Sequence, residues 1–291
     1  MLTQNPARLV PRPLGKTGLE VTPLGLAAMS MRKGGPGLSP EDVERAFHEH
    51  GINTFLAHSM MKRLCEGVRR LIQAGHRDEL VLITGASLPF GGSVRRGLER
   101  HLRVLGTDHF DGYFMGWVRN RWWVRKGVWD EMARLRESGK VRALGFSTHD
   151  RKLAARLATE LPADIIMIRY NAAHRGAERE IFAPLDSLGD QRPGIIGYTS
   201  TRWGMLLEPL PKRGFPKAMT AGECYRFSLG NPMVDMVWCA AQAPAQVRED
   251  VQAVLAGPLS PARLDEVHRF GDAVHAAARG GRRWMFGKSA D

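Results

Sequence analysis

The chain has 291 residues, which suits a single α/β barrel of about 250 residues better than two separate domains. Its hydrophobic content of 43% and charged content of 25% are those of an ordinary globular protein, and no apolar run approaches the roughly 20 residues that span a bilayer. The formal net charge of +12 raises nucleic acid as a partner. Because the arginines are dispersed over many predicted helices, a solvated basic surface is favoured instead.

The cysteines and the first residues bear on location. Cys65, Cys224 and Cys239 are scattered and show no CxxC spacing, so the sequence predicts reduced thiols and neither a disulfide framework nor a zinc site. Cys224 stands beside Arg226 in sequence, an arrangement that would suit a reactive thiol, although an inert buried cysteine is the simpler interpretation. The first residues lack the order of a secretory signal. A cytoplasmic location with no membrane association follows as the prediction.

Strand-like and helix-like runs alternate after an opening hairpin, which predicts βαβ units and a parallel sheet. Ser39 as N-cap, followed by Pro40 and two acidic residues, predicts the start of the first helix. The pattern predicts strands at 23–27, 52–56, 80–84, 112–115, 141–146, 165–168, 194–198 and 234–239. It predicts further helices at 63–74, 93–105, 128–137, 151–160, 178–188, 221–229, 243–255 and 261–277.

This alternation predicts an α/β fold, namely a closed (β/α)8 TIM barrel with an N-terminal β-hairpin and a C-terminal extra helix. It forms a single domain over 1–291, with the barrel core at 12–267 and a basic tail at 278–291.

Four stretches of this framework resemble the aldo-keto reductase superfamily. They are the opening 12–26, the Gly-Ile-Asn at 51–53, the segment 139–147 and the segment 197–204, and the resemblance extends from about 12 to 267. In that family an Asp and a Tyr follow the second strand, a Lys ends the third and a His ends the fourth. These positions fall here on Leu56, Met61, Gly85 and Gly116.

None of these four side chains can transfer a proton. Hydride that reaches a carbonyl carbon leaves an alkoxide, which a positioned acid must protonate or a donor must stabilise. The resemblance therefore implies a diverged member of the superfamily that lacks the Asp/Tyr/Lys/His tetrad.

The resemblance also implies a nicotinamide cofactor, NADP(H) with NAD(H) as the alternative. In the family an aromatic residue at the end of the seventh strand stacks on the nicotinamide, and the residues after it hold the pyrophosphate. The matching residues are Tyr198, Thr199, Ser200 and Arg202. The pair that fixes the carboxamide corresponds to Ser147 and Thr148, while the family's Gln on the sixth strand is Met167.

The adenosine end of the cofactor corresponds to the stretch 240–250. Gln246 and Arg248 are the candidate ligands there, and Arg248 suits a 2′-phosphate. The family's customary Asn is Asp250, whose charge would repel that phosphate. An ordinary amphipathic barrel helix with surface Arg and Gln is the alternative interpretation.

Barrel enzymes carry their sites on the loops that follow the strands, and three residues on these loops are candidate proton donors. His58 and His149 have side chains that titrate near neutral pH. Tyr170 would serve if Arg169 lowered the pKa of its phenol, but neighbours on a strand point to opposite sides, so the two cannot both face the lumen. For His58, a packing role is the alternative.

The same loops offer a candidate substrate wall. Its members are Trp117, Trp122 and Trp123, which match the position where related enzymes enclose a hydrophobic substrate; packing is the alternative.

Two functions remain open at this point. The first is an aldo-keto-reductase-like oxidoreductase that binds NAD(P) and acts on a carbonyl-type or unsaturated small molecule with a non-standard proton donor. The second is a catalytically inactive barrel that serves as a ligand-binding or accessory protein, with a protein partner.

Overall fold

In a computed structural model of the chain, residues 8–28 and 37–279 are described. The predicted tail at 278–291 lies outside these residues except for its first two positions. The described chain opens with a two-stranded antiparallel hairpin of β1, Arg12–Pro13, and β2, Glu20–Val21.

Eight parallel strands follow the hairpin and close into a barrel in chain order. Each strand pairs with the next, and the last, β10, pairs with the first, β3. The strands are β3 Leu24–Leu26, β4 Thr54–Leu56, β5 Val81–Ala86, β6 Phe110–Met115, β7 Val141–Thr148, β8 Ile165–Arg169, β9 Gly194–Tyr198 and β10 Met236–Cys239.

Helices surround the barrel. They are α1 Pro40–His50, α2 Lys62–Gln73, α3 Gly91–Leu105, α4 Lys126–Glu137, α5 Arg151–Glu160, α6 Ala183–Asp186, α7 Ala221–Leu229, α8 Pro244–Leu255 and α9 Pro261–Arg279. The predicted N-cap is confirmed, because the Ser39 side chain accepts from the Asp42 N–H within a capping box. The predicted (β/α)8 barrel with its hairpin and extra helix is also confirmed.

Several elements begin or end one or two residues from their predicted bounds, and two of the differences show how the chain is held locally. The helix expected at 178–188 begins with a π-helical turn, Glu178–Phe182, before the short α6. The strand expected from residue 52 begins only at Thr54. The Asn53 side chain binds the hairpin instead, since its Oδ1 accepts from the Thr22 N–H and its Nδ2 donates to the Glu20 carbonyl.

Apolar side chains fill the barrel and the layer around it. Because strand residues alternate between the two sides, a compact cluster that includes Ile83, Met167 and Ile196 occupies the lumen. Leu14, Leu19 and Val21 of the hairpin belong to the same cluster and close its lower end. A larger cluster packs the outer strand faces against the helices.

Charged groups tie the hairpin to the lower ends of the last strands. Asp235 is 5% exposed. Its carboxylate accepts from both terminal nitrogens of Arg192 at 2.8 and 2.6 Å and from the Ile195 N–H at 2.7 Å. The Arg12 guanidinium donates to the Asp235 and Val234 carbonyls.

Replacing Asp235 with Ala is expected to destabilise the fold by about 2–4 kcal/mol, because the partly buried Arg192 and the buried Ile195 N–H then both lose their acceptor. The free energy of unfolding in urea measures this. Asp130→Ala is the control, since its pair with Lys126 is exposed and is worth at most about 1 kcal/mol. Equal losses in the two variants would contradict the assignment of Asp235 as a buried tie.

Candidate active site at the carboxyl ends of the strands

The resemblance matched the family's catalytic residues to Leu56, Met61, Gly85 and Gly116. Leu56 ends β4, Met61 directly precedes α2, Gly85 lies near the end of β5, and Gly116 directly follows β6. Leu56 and Phe114 pack on the lumen cluster from above, together with Tyr198. A Cβ atom on Gly85 would lie 2.7 Å from the Phe114 ring, closer than real Cβ contacts allow. The ring of Phe114 therefore fills the space that a lysine side chain at position 85 would need.

His58 turns away from this place and toward α3. Its ring lies 4.4 Å from that of His101, which is buried on the inner face of α3. Its Nδ1 accepts from the Met60 N–H at 3.3 Å. Burial, and then Arg100, lower the pKa of His58. The packing interpretation of His58 thus agrees with its surroundings better than a role at the barrel mouth.

Tyr170 lies on the outer side of the barrel wall. Its ring packs 5.1 Å from Phe182 and 5.6 Å from Phe227, and its hydroxyl donates to Glu178 Oε1 at 2.6 Å. Burial, and then this carboxylate, raise the pKa of Tyr170 well above its ordinary value. Arg169 belongs to the lumen side, in strand register with Tyr198. The expected alternation is present, and Tyr170 is placed away from the mouth.

His149 is the proton-donor candidate that the fold brings beside Tyr198. The two ring centroids are 5.2 Å apart in an edge-to-face arrangement, and Trp203 lies 6.1 Å away on another side. The Nδ1 atom of His149 is buried and has no hydrogen-bond partner among the described residues. Burial, and then Arg169, lower the pKa of His149 to about 4. The imidazole is therefore neutral at pH 7.

The loop after β9 has a strained backbone. Thr199, Arg202 and Trp203 have φ angles of 55°, 50° and 53°, in the left-handed region that residues other than glycine seldom adopt. Each such residue costs about 1–3 kcal/mol and persists only where its surroundings hold it, often at a functional site. Here the Tyr198 hydroxyl donates to the Thr148 carbonyl at 2.9 Å, and Asn171 Nδ2 donates to the Thr199 carbonyl at 2.9 Å.

This loop buries two polar side chains with unused hydrogen-bonding atoms. Ser200 is 2% exposed and Arg202 is 7% exposed. Within the part of the chain that the structure describes, the Ser200 Oγ and the Arg202 Nε have no partner. Burial of a polar group without a partner is costly, so an acceptor from beyond the described residues would stabilise both side chains.

The surroundings of Arg202 are cationic. Arg202 Nη1 lies 3.1 Å from His174 Nδ1, and since arginine only donates, that nitrogen accepts. Burial, and then Arg169, lower the pKa of His174 to about 2 and that of Arg202 to about 10. At pH 7 the histidine is neutral and Arg202 is charged, close to the buried Arg169. Such a place favours an anion.

Ser147 and Thr148, which the resemblance matched to the residues that fix the carboxamide, form hydrogen bonds with the loop after β6. Ser147 Oγ accepts from the Trp117 N–H at 2.9 Å, and Thr148 Oγ1 donates to the Val118 carbonyl at 2.7 Å. Both hydroxyls therefore hold the loop after β6, in which Trp117 has a φ of 52°. Ser147 keeps its own proton for a further acceptor.

At the adenosine end, the side chains point in different directions. Gln246 Oε1 accepts from the Gln242 N–H at 2.7 Å and so closes the turn before α8. Arg248 lines a small cleft between α1 and α8, with His50. Asp250 points inward, where its Oδ2 accepts from the Cys239 thiol at 3.4 Å. The carboxyl is buried, and burial raises the pKa of Asp250 to about 7, so its charge at neutral pH is smaller than the sequence alone predicts.

The three tryptophans differ in exposure. Trp117 and Trp122 are exposed, whereas Trp123 is half-buried. The Trp117 N–H donates to Ser147 at the end of β7, whereas the Trp122 ring contacts the ring of Phe90, which directly precedes α3. They do not form one continuous stack.

The three cysteines are unpaired and buried. Burial raises the pKa of Cys65 to about 12 and raises those of Cys224 and Cys239 further. Cys224 is therefore an inert thiol. Over 8–28 and 37–279, no group of three or more side chains is arranged to hold a metal ion, and no helix has the length and apolarity to cross a membrane.

Comparison with known proteins gives the family. The model of the aldo/keto reductase family matches residues 40–209. The chain belongs to this family. Its fold suggests oxidoreductase activity, and the family generally binds NAD(P)H.

Solved structures show the same fold. An aldo-keto reductase from Bacillus halodurans in its apo form is 20% identical with a TM-score of 0.71, over 90% of this chain and 96% of that one. Its holo form is 19% identical with a TM-score of 0.70, over 90% and 96%. A thermostable aldo-keto reductase in complex with the inhibitor epalrestat is 20% identical with a TM-score of 0.69, over 90% and 100%.

Two residues of the site escaped sequence reasoning. Phe114 was visible only as part of a strand, although strand alternation places it in the lumen. Trp203 lies within the segment 197–204 that carried the resemblance, but nothing local indicated that it would pack beside His149.

The buried Asp250 predicts an unusual pH dependence of stability. Because its folded pKa of about 7 lies above the unfolded value of 3.8, the unfolded state ionises first as pH rises. The contribution of Asp250 to stability is then lost through that interval and levels off above about pH 8. Between pH 5 and pH 8 this contribution falls by about 2–3 kcal/mol, while buried histidines with lowered pKa values, such as His149 and His174, add stability over the same range.

Urea unfolding at the two pH values measures this contribution as the difference between the unmodified protein and Asp250→Asn. From pH 5 to pH 8 the variant should gain about 2–3 kcal/mol more stability than the unmodified protein, because the amide carries no proton to release, whereas Asp130→Asn, at a partly exposed carboxylate, should follow the unmodified protein. A pH dependence unchanged in Asp250→Asn would show that Asp250 is not its source.

Proposed function

We propose that the protein is an oxidoreductase that binds a nicotinamide dinucleotide and acts on a carbonyl-type or unsaturated small molecule. The observation that carries this proposal is a pair of buried atoms in the loop after β9, Ser200 Oγ and Arg202 Nε, for which the described residues offer no hydrogen-bond partner. They lie just beyond Tyr198, the aromatic residue at the position that stacks on nicotinamide in the family.

The donors at this loop fit a pyrophosphate. A hydroxyl and a guanidinium donate to phosphate oxygens, and guanidinium–phosphate bonds are among the stronger ones in proteins. The neighbouring Arg169 adds positive potential, since it lowers the pKa of Arg202. Tyr198 offers a ring at the end of β9, and Thr199 begins the turn. We propose NADP(H) as the cofactor, with NAD(H) as the alternative.

The two remaining parts of the cofactor site rest on fewer contacts. For the carboxamide, Ser147 still has its hydroxyl proton, and Thr148 holds the loop beside it. For the adenosine phosphate, Gln246 and Arg248 are the proposed ligands, and Arg248 would have to turn from its cleft beside α1.

The bound cofactor would supply hydride, and the chain must stabilise the negative charge that develops on the substrate. Among the three candidate donors, His149 is the one in contact with Tyr198. Its low pKa keeps the imidazole neutral, so His149 would donate one N–H to the developing oxyanion without first being protonated. Trp117 and Trp123 are proposed to wall the substrate, and Trp122 to stand at the outer rim.

A second candidate is a barrel that binds the nucleotide without catalysis and serves as an accessory protein. The packing of Phe114 on Gly85 favours it, because this packing occupies the place of the family's lysine. Both candidates share the phosphate site and differ in whether hydride is transferred.

Replacing Arg202 with Met is expected to weaken NADPH binding by about 10- to 100-fold, the value of one or two charge-assisted hydrogen bonds. Calorimetry on the purified chain measures the affinity. Arg103→Met is the matched control, since Arg103 is exposed on α3 and bonds only within its own helix. Absence of NADPH and NADH binding by the unmodified protein would refute the cofactor proposal.

Replacing His149 with Phe separates the two candidates. In an active enzyme the substitution should lower kcat by about 100- to 10,000-fold with aldehydes, ketones or enones as substrates, while the NADPH affinity stays within a few-fold. Loss of NADPH absorbance at 340 nm, a general property of the reduced nicotinamide, follows turnover. Tight nucleotide binding with no turnover in the unmodified protein would support the accessory function instead.

A further inference from the structure

Large apolar side chains stand exposed on the loops after β5 and β6. Leu88 is 57% exposed, and Phe90 and Trp122 are each 51% exposed. The rings of Phe90 and Trp122 meet edge to face, with centroids 5.8 Å apart. We call Leu88, Phe90, Trp122 and Arg125 the Trp122 surface. Exposed aromatic patches of this kind are typical of interaction sites.

Arg125 holds the aromatic rings in place. Its guanidinium lies 3.9 Å from the centre of the Trp122 ring and 5.9 Å from that of Phe90. Its Nη1 also donates to the Trp122 carbonyl at 3.0 Å. The surface is therefore ordered before any partner arrives, which lowers the entropic cost of binding.

The charge of the Trp122 surface is positive. Within the described part of the chain, Arg125 has no carboxylate within ion-pair distance, whereas the neighbouring Arg121 and Lys126 are paired with Glu160 and Asp130. Arg119 on the same loop also stacks on an aromatic ring, with its guanidinium 5.6 Å from the centre of the Trp123 ring. An acidic partner is the complement of two such cations.

The form and composition of the surface indicate a protein partner. Sites for small molecules are concave and enclose most of the ligand, whereas these side chains project from loops with half their area in solvent. Trp, Phe and Arg are enriched at the centres of protein interfaces, while Lys and Glu are depleted there. The Trp122 surface has that composition.

Two other occupants fit less well. A second copy of the chain would bring basic surface against basic surface, at a net charge of +12 on each copy. A single-stranded nucleic acid needs a row of cations along its backbone, whereas this surface has two described cations without a carboxylate within ion-pair distance, Arg119 and Arg125.

We propose that the Trp122 surface is a docking surface for a protein segment in which carboxylates flank apolar side chains. The aromatic rings and Leu88 would bury the apolar side chains, and Arg119 and Arg125 would meet the carboxylates. This proposal does not depend on catalysis or on nucleotide binding.

Selection from a random dodecapeptide display library on the immobilised full chain tests it. The most enriched peptides are synthesised, and their affinity is measured by calorimetry at two salt concentrations. The enriched peptides should carry net negative charge with apolar residues between the acids, and their affinity should fall as salt is added.

Trp122→Ala, Phe90→Ser and Arg125→Gln locate the binding. Each substitution should weaken the binding of the synthesised peptides by about 30-fold, which is the loss of affinity typical of an interface hot spot. Leu188→Ala and Arg179→Gln are the matched controls, because these residues are exposed elsewhere, and they should leave the affinity unchanged. Circular dichroism and thermal unfolding exclude variants that do not fold.

Several results would overturn the proposal. They are failure of the library to enrich any sequence, enrichment of neutral or basic peptides, and peptide affinity that survives all three substitutions. Tighter binding of a 20-nucleotide oligothymidylate, lost in Trp122→Ala, would assign the surface to nucleic acid. A dimer detected by sedimentation and abolished by Trp122→Ala would assign it to a second copy.

Discussion

Two buried guanidinium groups, Arg169 at the end of β8 and Arg202 in the loop after β9, set the electrostatic potential at this end of the barrel. Arg169 and Arg202 are 5% and 7% exposed, and Arg169 lowers the pKa of Arg202 because like charges disfavour each other in a buried place. The same field, together with burial, keeps His149 and His174 neutral. A bound anion would relieve the repulsion, so binding and electrostatics at this site are coupled.

The backbone supports this arrangement at a cost. Three residues of the loop after β9 adopt positive φ angles, and the contacts of Asn171 and Tyr198 with neighbouring strand ends hold the loop. A relaxed loop would release Ser200 and Arg202 to solvent, where their hydrogen bonds would be satisfied by water. The strained backbone therefore keeps the Ser200 and Arg202 donors away from water. Hydrogen-bond donors that are shielded from water interact with an anion more strongly than hydrated donors do.

The fold was predictable from the sequence because it depends on repeated patterns. Alternating strands and helices gave the barrel, and β9 at 194–198 and α5 at 151–160 have the predicted bounds. The site was less predictable, since loop side chains are placed by distant contacts. His58, for example, packs against His101 on α3, which is 43 positions away in the sequence. A contact between residues so far apart cannot be read from the residues around His58. The outward position of Tyr170 followed from alternation, but its bond to Glu178 needed the π-helical turn.

Residues 85 and 114 are connected by packing. Glycine at position 85 gives room for both the Phe114 ring and the Phe114 carbonyl oxygen, since a Cβ atom there would lie 2.7 Å from each. A larger residue at position 85 therefore requires a shift of the backbone of the neighbouring strand as well as of the ring, and a smaller residue at position 114 alone would leave a cavity. The buried cations lie on other strands, Arg169 at the end of β8 and Arg202 in the loop after β9. The packing of Gly85 with Phe114 and the cationic cluster therefore belong to different parts of the barrel mouth, so a substitution in one part need not alter the other.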